Sequence, residues 1–150
     1  MIFKLLKFLS SFSYAKIIFK EIIIMKWIST IKKIGEKAVD SKDGMVILFG
    51  EGANKELEDV SVIQKFDEST PVSGFVFKKG DTITVDGQTY VANYVGPMVE
   101  SNMKALGHAT LFFNRPVSKA PLANAVYFDP DVAQPMPNFK VDDDIVYEHI

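Results

Sequence analysis

The sequence predicts an all-β domain, either a β-barrel or a compact sandwich, with one or two short helices. Short runs rich in β-branched and aromatic residues recur along the chain, separated by glycine, proline, asparagine or aspartate. The clearest separator is Asp86-Gly87, which stands between two such runs and predicts a two-residue hairpin. Seven or eight short strands of this kind are typical of a barrel or a sandwich.

The strands before the hairpin are predicted from apolar runs and alternation. Trp27–Ile34 alternates loosely, and Met45–Phe49 is a short continuous apolar run, typical of a buried strand. Asn54 can cap one acidic helical turn over residues 54–59. The strand Val60–Phe66 follows, and its alternation places Gln64 on the same face as the valines and Phe66.

A short helix is predicted after the hairpin. Pro97 suits the first helical position, where its missing N–H has no helical partner to lose. Val99, Met103 and Leu106 recur with helical spacing and form one apolar stripe. Gly107 can adopt the left-handed conformation that ends a helix. The other predicted strands are Phe75–Phe77, the hairpin arms Asp81–Val85 and Gln88–Val95, a strand from His108 to Phe113, Ala125–Phe128, and an extended run around Phe139–Tyr147.

Composition narrows the functional classes. The chain has 150 residues, enough for one domain with its own core, and a net charge of −2 with no basic block, which argues against a nucleic-acid binder. It has no cysteine, so disulfides and thiolate chemistry are excluded. The aspartates at 129, 131 and 142–144 are interpreted as solvated loop residues, so no metal site is expected. No dinucleotide or phosphate-loop motif is present, and no cofactor is expected.

Residues 1–24 differ from the remainder because they are apolar and lysine-rich. We interpret them as a leader or non-native extension before a true start at Met25: the Lys20-Glu21 pair can be encoded by a ribosome-binding sequence at the usual spacing from Met25. The alternative is a basic amphipathic helix at a membrane surface, since Lys4, Lys7, Ser11 and Tyr14 share one helical face. The domain is therefore predicted to span residues 25–150.

His108 is the candidate catalytic residue. It is one of two histidines, and the other, His149, is next to last in the chain. A lone histidine is often a structural residue whose nitrogens are satisfied by the backbone. A neutral imidazole is also a good nucleophile, and at the end of a helix one nitrogen could be oriented while the other is free to attack.

Three segments together resemble one family. MVILFGEGANKELEDVSVI (Met45–Ile63), FKKGDTITVDGQTYVANYVG (Phe77–Gly96) and ESNMKALGHATLFF (Glu100–Phe113) are similar to the glucitol/sorbitol-specific IIA component of the bacterial phosphotransferase system. Ile34-Gly35 also fits the start of that family. The resemblance covers roughly residues 26–128, in order and with few gaps.

The resemblance implies a small closed β-barrel in the cytoplasm that carries a phosphoryl group on a histidine. The group comes from the phosphocarrier HPr and passes to the IIB component for sorbitol uptake, so contact with a membrane arises only through the IIB/IIC transporter complex. The family's acceptor histidine follows the apolar strand after the LE turn, and in this chain that position is Gln64. An amide nitrogen has its lone pair delocalised and cannot form the labile N–P bond.

Three hypotheses follow. The protein is a carrier that uses His108, a IIA-like binding or regulatory module that is not phosphorylated, or a barrel that binds a small ligand. A deep pocket lined by Gln64, with His108 far off, would favour the third. A partner-binding rim is expected at the acidic turn before Gln64, with a solvated turn as the alternative. The residues of this rim are Glu51, Glu56, Glu58 and Asp59.

Overall fold

Nine strands form one curled sheet in residues 24–150, the part of the chain that this computed structural model describes. The predictions for residues 1–24, a leader or a membrane-surface helix, concern a segment of which residues 1–23 lie outside the described part. The strands are β1 Met25–Ile34, β2 Met45–Phe49, β3 Val62–Phe66, β4 Thr82–Val85, β5 Gln88–Val91, β6 Tyr94–Val95, β7 Ala109–Phe113, β8 Ala125–Phe128 and β9 Asp144–His149. The helices are α1 Lys55–Asp59 and α2 Val99–Leu106, with a 3₁₀ turn at Val72–Gly74.

The sheet forms a half-barrel with β5 and β6 at its edges, in the order β5-β4-β9-β1-β3-β2-β7-β8-β6. These edge strands are consecutive in the chain, separated only by Ala92 and Asn93. The Ala92 N–H donates to the Asp81 carbonyl at 2.8 Å, and the Asn93 N–H donates to the Tyr127 carbonyl at 3.0 Å. The backbone itself therefore links the two edges, and the strand predicted as Gln88–Val95 is divided here.

The predicted fold class and its main signals are confirmed. The described residues are mostly β with two short helices. Asp86 and Gly87 have φ of 51° and 73°, the left-handed pair of a tight hairpin, and β4 and β5 pair across them. Gly107 ends α2 with φ of 61°, as its sequence position predicts.

Several local predictions are wrong. Phe75–Phe77 is not a strand; it follows the 3₁₀ turn, and both phenylalanines enter the core. The third strand begins at Val62, because Val60 caps α1 and is exposed. Leu106 does not join the apolar stripe, since it is 53% exposed while Val99 and Met103 are buried. The helix begins at Val99 and β7 at Ala109, each one or two residues later than predicted.

Aromatic side chains fill the concave interior. Phe75 contacts four other rings edge-on or stacked, with ring centroids 5.3 to 6.0 Å apart. Such pairs add stabilisation beyond the apolar area that they bury. Neither helix in residues 24–150 has the length and apolar character needed to cross a membrane.

Candidate functional site

Gln64 lies in the middle of the sheet with its amide fully hydrogen-bonded. Strand β3 pairs with β1 on one side and β2 on the other, and the residue is 1% exposed. Its Oε1 accepts from the Ser29 hydroxyl at 2.6 Å and from the Tyr147 hydroxyl at 2.7 Å. Its Nε2 donates to the Gly107 carbonyl at 2.9 Å and to the Met103 sulfur at 3.3 Å. Both lone pairs and both N–H groups of the amide are therefore used within the protein.

Tyr147 is held as a neutral hydrogen-bond donor. Complete burial raises the pKa of its hydroxyl well above the ordinary value, and the neighbouring polar side chains of Gln64 and Ser29 offset only part of this rise. The phenol therefore keeps its proton at physiological pH and donates it to Gln64. Ser29 is also fully buried, so β1, β3 and β9 meet in a polar cluster inside an apolar core.

The end of α2 is fixed against the turn after β2 by two glycines. The Gly50 N–H donates to the Leu106 carbonyl at 2.8 Å. A Cβ on Gly107 would lie 2.8 Å from the Gly50 nitrogen and 2.9 Å from its Cα, so the two backbones approach more closely than side chains allow. This contact places the Gly107 carbonyl where it accepts from Gln64.

A cavity of about 430 Å³ opens beside Gln64, between β3, the C-terminal half of α2 and the turn after β2. Its volume is within the range of small-molecule sites. Apolar side chains form most of its walls. Three charged residues of the described range line it, of which Glu51 and Lys65 are 4.0 Å apart. The larger apolar lining residues are Phe49, Leu57, Phe66, Val72, Met103 and Leu106, with Ala53 and Ala105 beside them, and the third charged residue is Lys104.

His108 does not line this cavity, and both of its ring nitrogens are engaged. Nδ1 is 2.9 Å from the Leu48 carbonyl, which can only accept, so Nδ1 carries the proton. Nε2 is 2.6 Å from the side-chain nitrogen of Asn124, which donates to it. The ring also stacks on Phe49 with centroids 4.1 Å apart. The expectation that one nitrogen is free to attack does not fit these contacts.

Comparison with known proteins identifies the family. The family model for the glucitol/sorbitol-specific IIA component of the phosphotransferase system matches residues 26–146. The chain belongs to this family. It is 32% identical over 111 residues to the glucitol/sorbitol-specific EIIA components of Escherichia coli K12 and of Shigella flexneri, which covers 73% of this chain and 83% of each relative. A solved structure, the phosphotransferase system IIA component from Enterococcus faecalis V583, superposes with a TM-score of 0.70 at 28% identity, covering 79% of this chain and 96% of that one.

The acidic residues expected to form a rim on this IIA-family domain are only partly at the cavity. Glu51 lines it, whereas Glu56, Glu58 and Asp59 are not among the lining residues. The Glu58 carboxylate forms an ion pair with Lys33, which reduces the charge that it presents to a partner. Asn54 caps α1 as predicted, accepting from the Leu57 N–H at 3.0 Å. The partner-binding role of these residues stays a prediction.

Ser29, Tyr147 and Met103 contact Gln64, and sequence reasoning missed that contact. They are 35 to 83 residues away in the chain, so no local pattern reports their position. Within the described range, residues 24–150, no group of three or more acidic or histidine side chains is placed to hold a metal ion. His149 instead pairs with the buried Asp81 carboxylate at 2.6 Å.

Proposed function

We propose that this member of the glucitol/sorbitol IIA family binds protein partners of the phosphotransferase system without itself accepting a phosphoryl group. One observation carries the proposal: the position that the family resemblance assigns to the acceptor histidine holds Gln64, whose amide is saturated by four protein partners. The family's general role is to relay a phosphoryl group from HPr to the IIB component. That relay requires a nucleophile with an available lone pair.

Gln64 lacks such a lone pair for a chemical and a geometric reason. The nitrogen lone pair of an amide is delocalised into the carbonyl, so an N–P bond there would not form readily. The Nε2 atom also donates to Gly107 and Met103, and Oε1 is occupied by two hydroxyl donors. The side chain is similar in size to an imidazole, and its four hydrogen bonds tie position 64 to β1, α2 and β9.

His108 is the other nitrogen nucleophile considered for the relay, and its contacts favour a structural role. Attack through Nε2 would first break the hydrogen bond from Asn124, and attack through Nδ1 would break the bond to the Leu48 carbonyl. The imidazole is also stacked on Phe49 and only partly exposed. A carrier that uses His108 is therefore the alternative that the experiment below must exclude.

The partners and location follow from the same proposal. HPr and the IIB component would dock over the cavity beside Gln64, with Glu51 and the acidic turn contributing to the contact. The protein would act in the cytoplasm and reach a membrane only through the IIB/IIC transporter complex. Domain boundaries of 25–150 also belong to the proposal, since the family match begins at residue 26.

Phosphoryl transfer from phosphoenolpyruvate tests this function. Enzyme I and HPr are incubated with the full chain, with a His108→Ala variant, and with the Escherichia coli EIIA component as a positive control. The expected result is acid-labile phosphate on the control and none on the full chain or the variant. Label on the full chain that disappears in His108→Ala would instead make this protein an active carrier through His108.

Binding of a small ligand is a second candidate, favoured by the cavity itself. The cavity is lined by Gln64, as expected of a ligand-binding barrel, but His108 is not far off: it follows the lining residue Gly107, and its ring stacks on the lining residue Phe49. Its apolar walls suit a ligand with a substantial apolar surface better than a free polyol. A larger thermal shift with a phenyl glycoside than with sorbitol, both at millimolar concentration, abolished by Ala105→Trp at the cavity wall, would support binding of a small ligand. No shift with either compound would argue against it.

A further inference from the structure

Among residues 24–150, no charged side chain belongs to the buried inner lining of the cavity beside Gln64. Its floor is formed by Gln64 and Met103, and both N–H groups of the Gln64 amide already donate within the protein. Phe66 and Val72 add apolar wall. A group that enters this floor therefore meets no buried cation from the described part of the chain and no free amide donor from Gln64.

The charged residues of the cavity belong to its mouth. The side chains of Glu51 and Lys65 are 53% and 59% exposed, and they are close enough to neutralise one another at 4.0 Å. Lys104 is also exposed, on the surface of α2. Exposed lysines interact weakly with an anion because water and salt screen them. They can guide a partner to the mouth and contribute little to holding a charge at the floor.

The C-terminal end of α2 adds a negative partial charge to the same cavity. Ala105, Leu106 and Gly107 line it, and they form the last turn and cap of this eight-residue helix. Carbonyl groups at a helix C-terminus carry the negative end of the helix dipole, which disfavours a nearby anion. A phosphorylated side chain would lose its hydration at this floor and gain no cationic partner from Gln64, Met103, Phe66 or Val72.

We infer that the cavity accepts an unphosphorylated, uncharged side chain of its partner and rejects the phosphorylated one. This inference rests on the proposed partner-binding function. The protein then distinguishes the two phosphorylation states of HPr. It binds HPr that has lost its phosphoryl group and releases HPr that has been phosphorylated again. A relay component must do the opposite and receive the phosphorylated form.

Titration calorimetry with the full chain tests this inference. HPr is used in its unphosphorylated form and in its phosphorylated form, the latter kept charged by a catalytic amount of enzyme I and excess phosphoenolpyruvate. The expected result is at least tenfold weaker binding of phosphorylated HPr. Equal affinities, or tighter binding of the phosphorylated form, would overturn the inference and leave the partner-binding function standing. No binding of either form would overturn both.

Three variants locate the effect at the cavity. Leu57→Arg places a cation at a half-buried wall position and should bring the ratio of the two affinities toward one. Ala105→Trp fills the mouth from an exposed helix position and should abolish binding of both forms. Val132→Trp, at a loop residue that is 80% exposed and does not line the cavity, is the matched control and should leave both affinities unchanged. An unchanged ratio in Leu57→Arg would contradict the assignment to this cavity.

Discussion

Replacing Gln64 with leucine should destabilise the fold by about 2–4 kcal/mol, although the two side chains are similar in size. The substitution removes the acceptor of two buried hydroxyls and the donor to the Gly107 carbonyl. The Ser29 and Tyr147 hydroxyls converge on the same Gln64 oxygen, at 2.6 and 2.7 Å, so once that oxygen is removed they can bond to one another, which leaves one hydroxyl donor and one carbonyl without a partner. A buried polar group without a partner costs about 1–3 kcal/mol. The contact with the Gly107 carbonyl is only partly buried, so its loss lies at the low end, about 1 kcal/mol, and the two groups together give about 2–4 kcal/mol.

Equilibrium urea unfolding of the full chain measures this loss as a lower midpoint at constant slope. Tyr147→Phe is the comparison, because it removes one hydroxyl while Gln64 Oε1 still accepts from Ser29, and we expect a loss of only about 1 kcal/mol. In thermal unfolding the Gln64→Leu loss corresponds to a fall of roughly 4–16 °C for a domain of this size. A Gln64→Leu protein as stable as Tyr147→Phe would refute the reasoning.

Two further perturbations test other parts of the site. Gly107→Ala should lower the free energy of unfolding in urea by at least about 1 kcal/mol, because φ is +61° and the new Cβ would meet the Gly50 backbone. Gly52→Ala is the control and should be near neutral, because no atom of the described residues lies within 4 Å of its Cβ. Similar losses in the two variants would contradict the close-contact argument. For Glu100, burial raises the carboxyl pKa, but the hydrogen bonds from Lys78 and from the Phe77 N–H, together with the positive charges of Lys78 and Lys104, outweigh it and lower the pKa below its ordinary value. The stabilising contribution of the Glu100 carboxylate is therefore present above about pH 4.5 and is lost as the pH falls through the lower folded-state pKa. The difference in unfolding free energy between the unsubstituted protein and Glu100→Gln should shrink toward pH 3. A difference that grew toward pH 3 would refute the sign of this argument.

Local sequence signals account for the elements that were predicted correctly. Asp86 and Gly87 form the hairpin turn because both residues adopt a positive φ, and Gly107 ends a helix because it adopts a positive φ as well. Asn54 caps α1 through a contact three residues away. Predictions of this kind succeed because the interacting groups are close in the chain, and the order of the sequence already places them together.

The local predictions failed where a distant part of the molecule decides the outcome. Phe75–Phe77 has strand composition, yet no neighbouring strand pairs with it, and its rings instead complete the core. Leu106 has the helical spacing of a buried residue, but it lies at the mouth of the cavity and stays exposed. The spacing of apolar residues predicts which side chains share one face of a helix or strand, but it does not predict which other element covers that face.

The sequence by itself determined the fold class, the family and the replacement of histidine by glutamine at position 64, because these depend on residue identity and local order. Only the tertiary structure decided that Gln64 is saturated by four partners and that both nitrogens of His108 are engaged. Those contacts join β1, β3, α2 and β9, which the chain brings together only when the sheet curls. The physical reason is that a hydrogen bond depends on distances within about 3 Å, and the spacing of residues along the chain does not specify such distances between strands far apart in sequence.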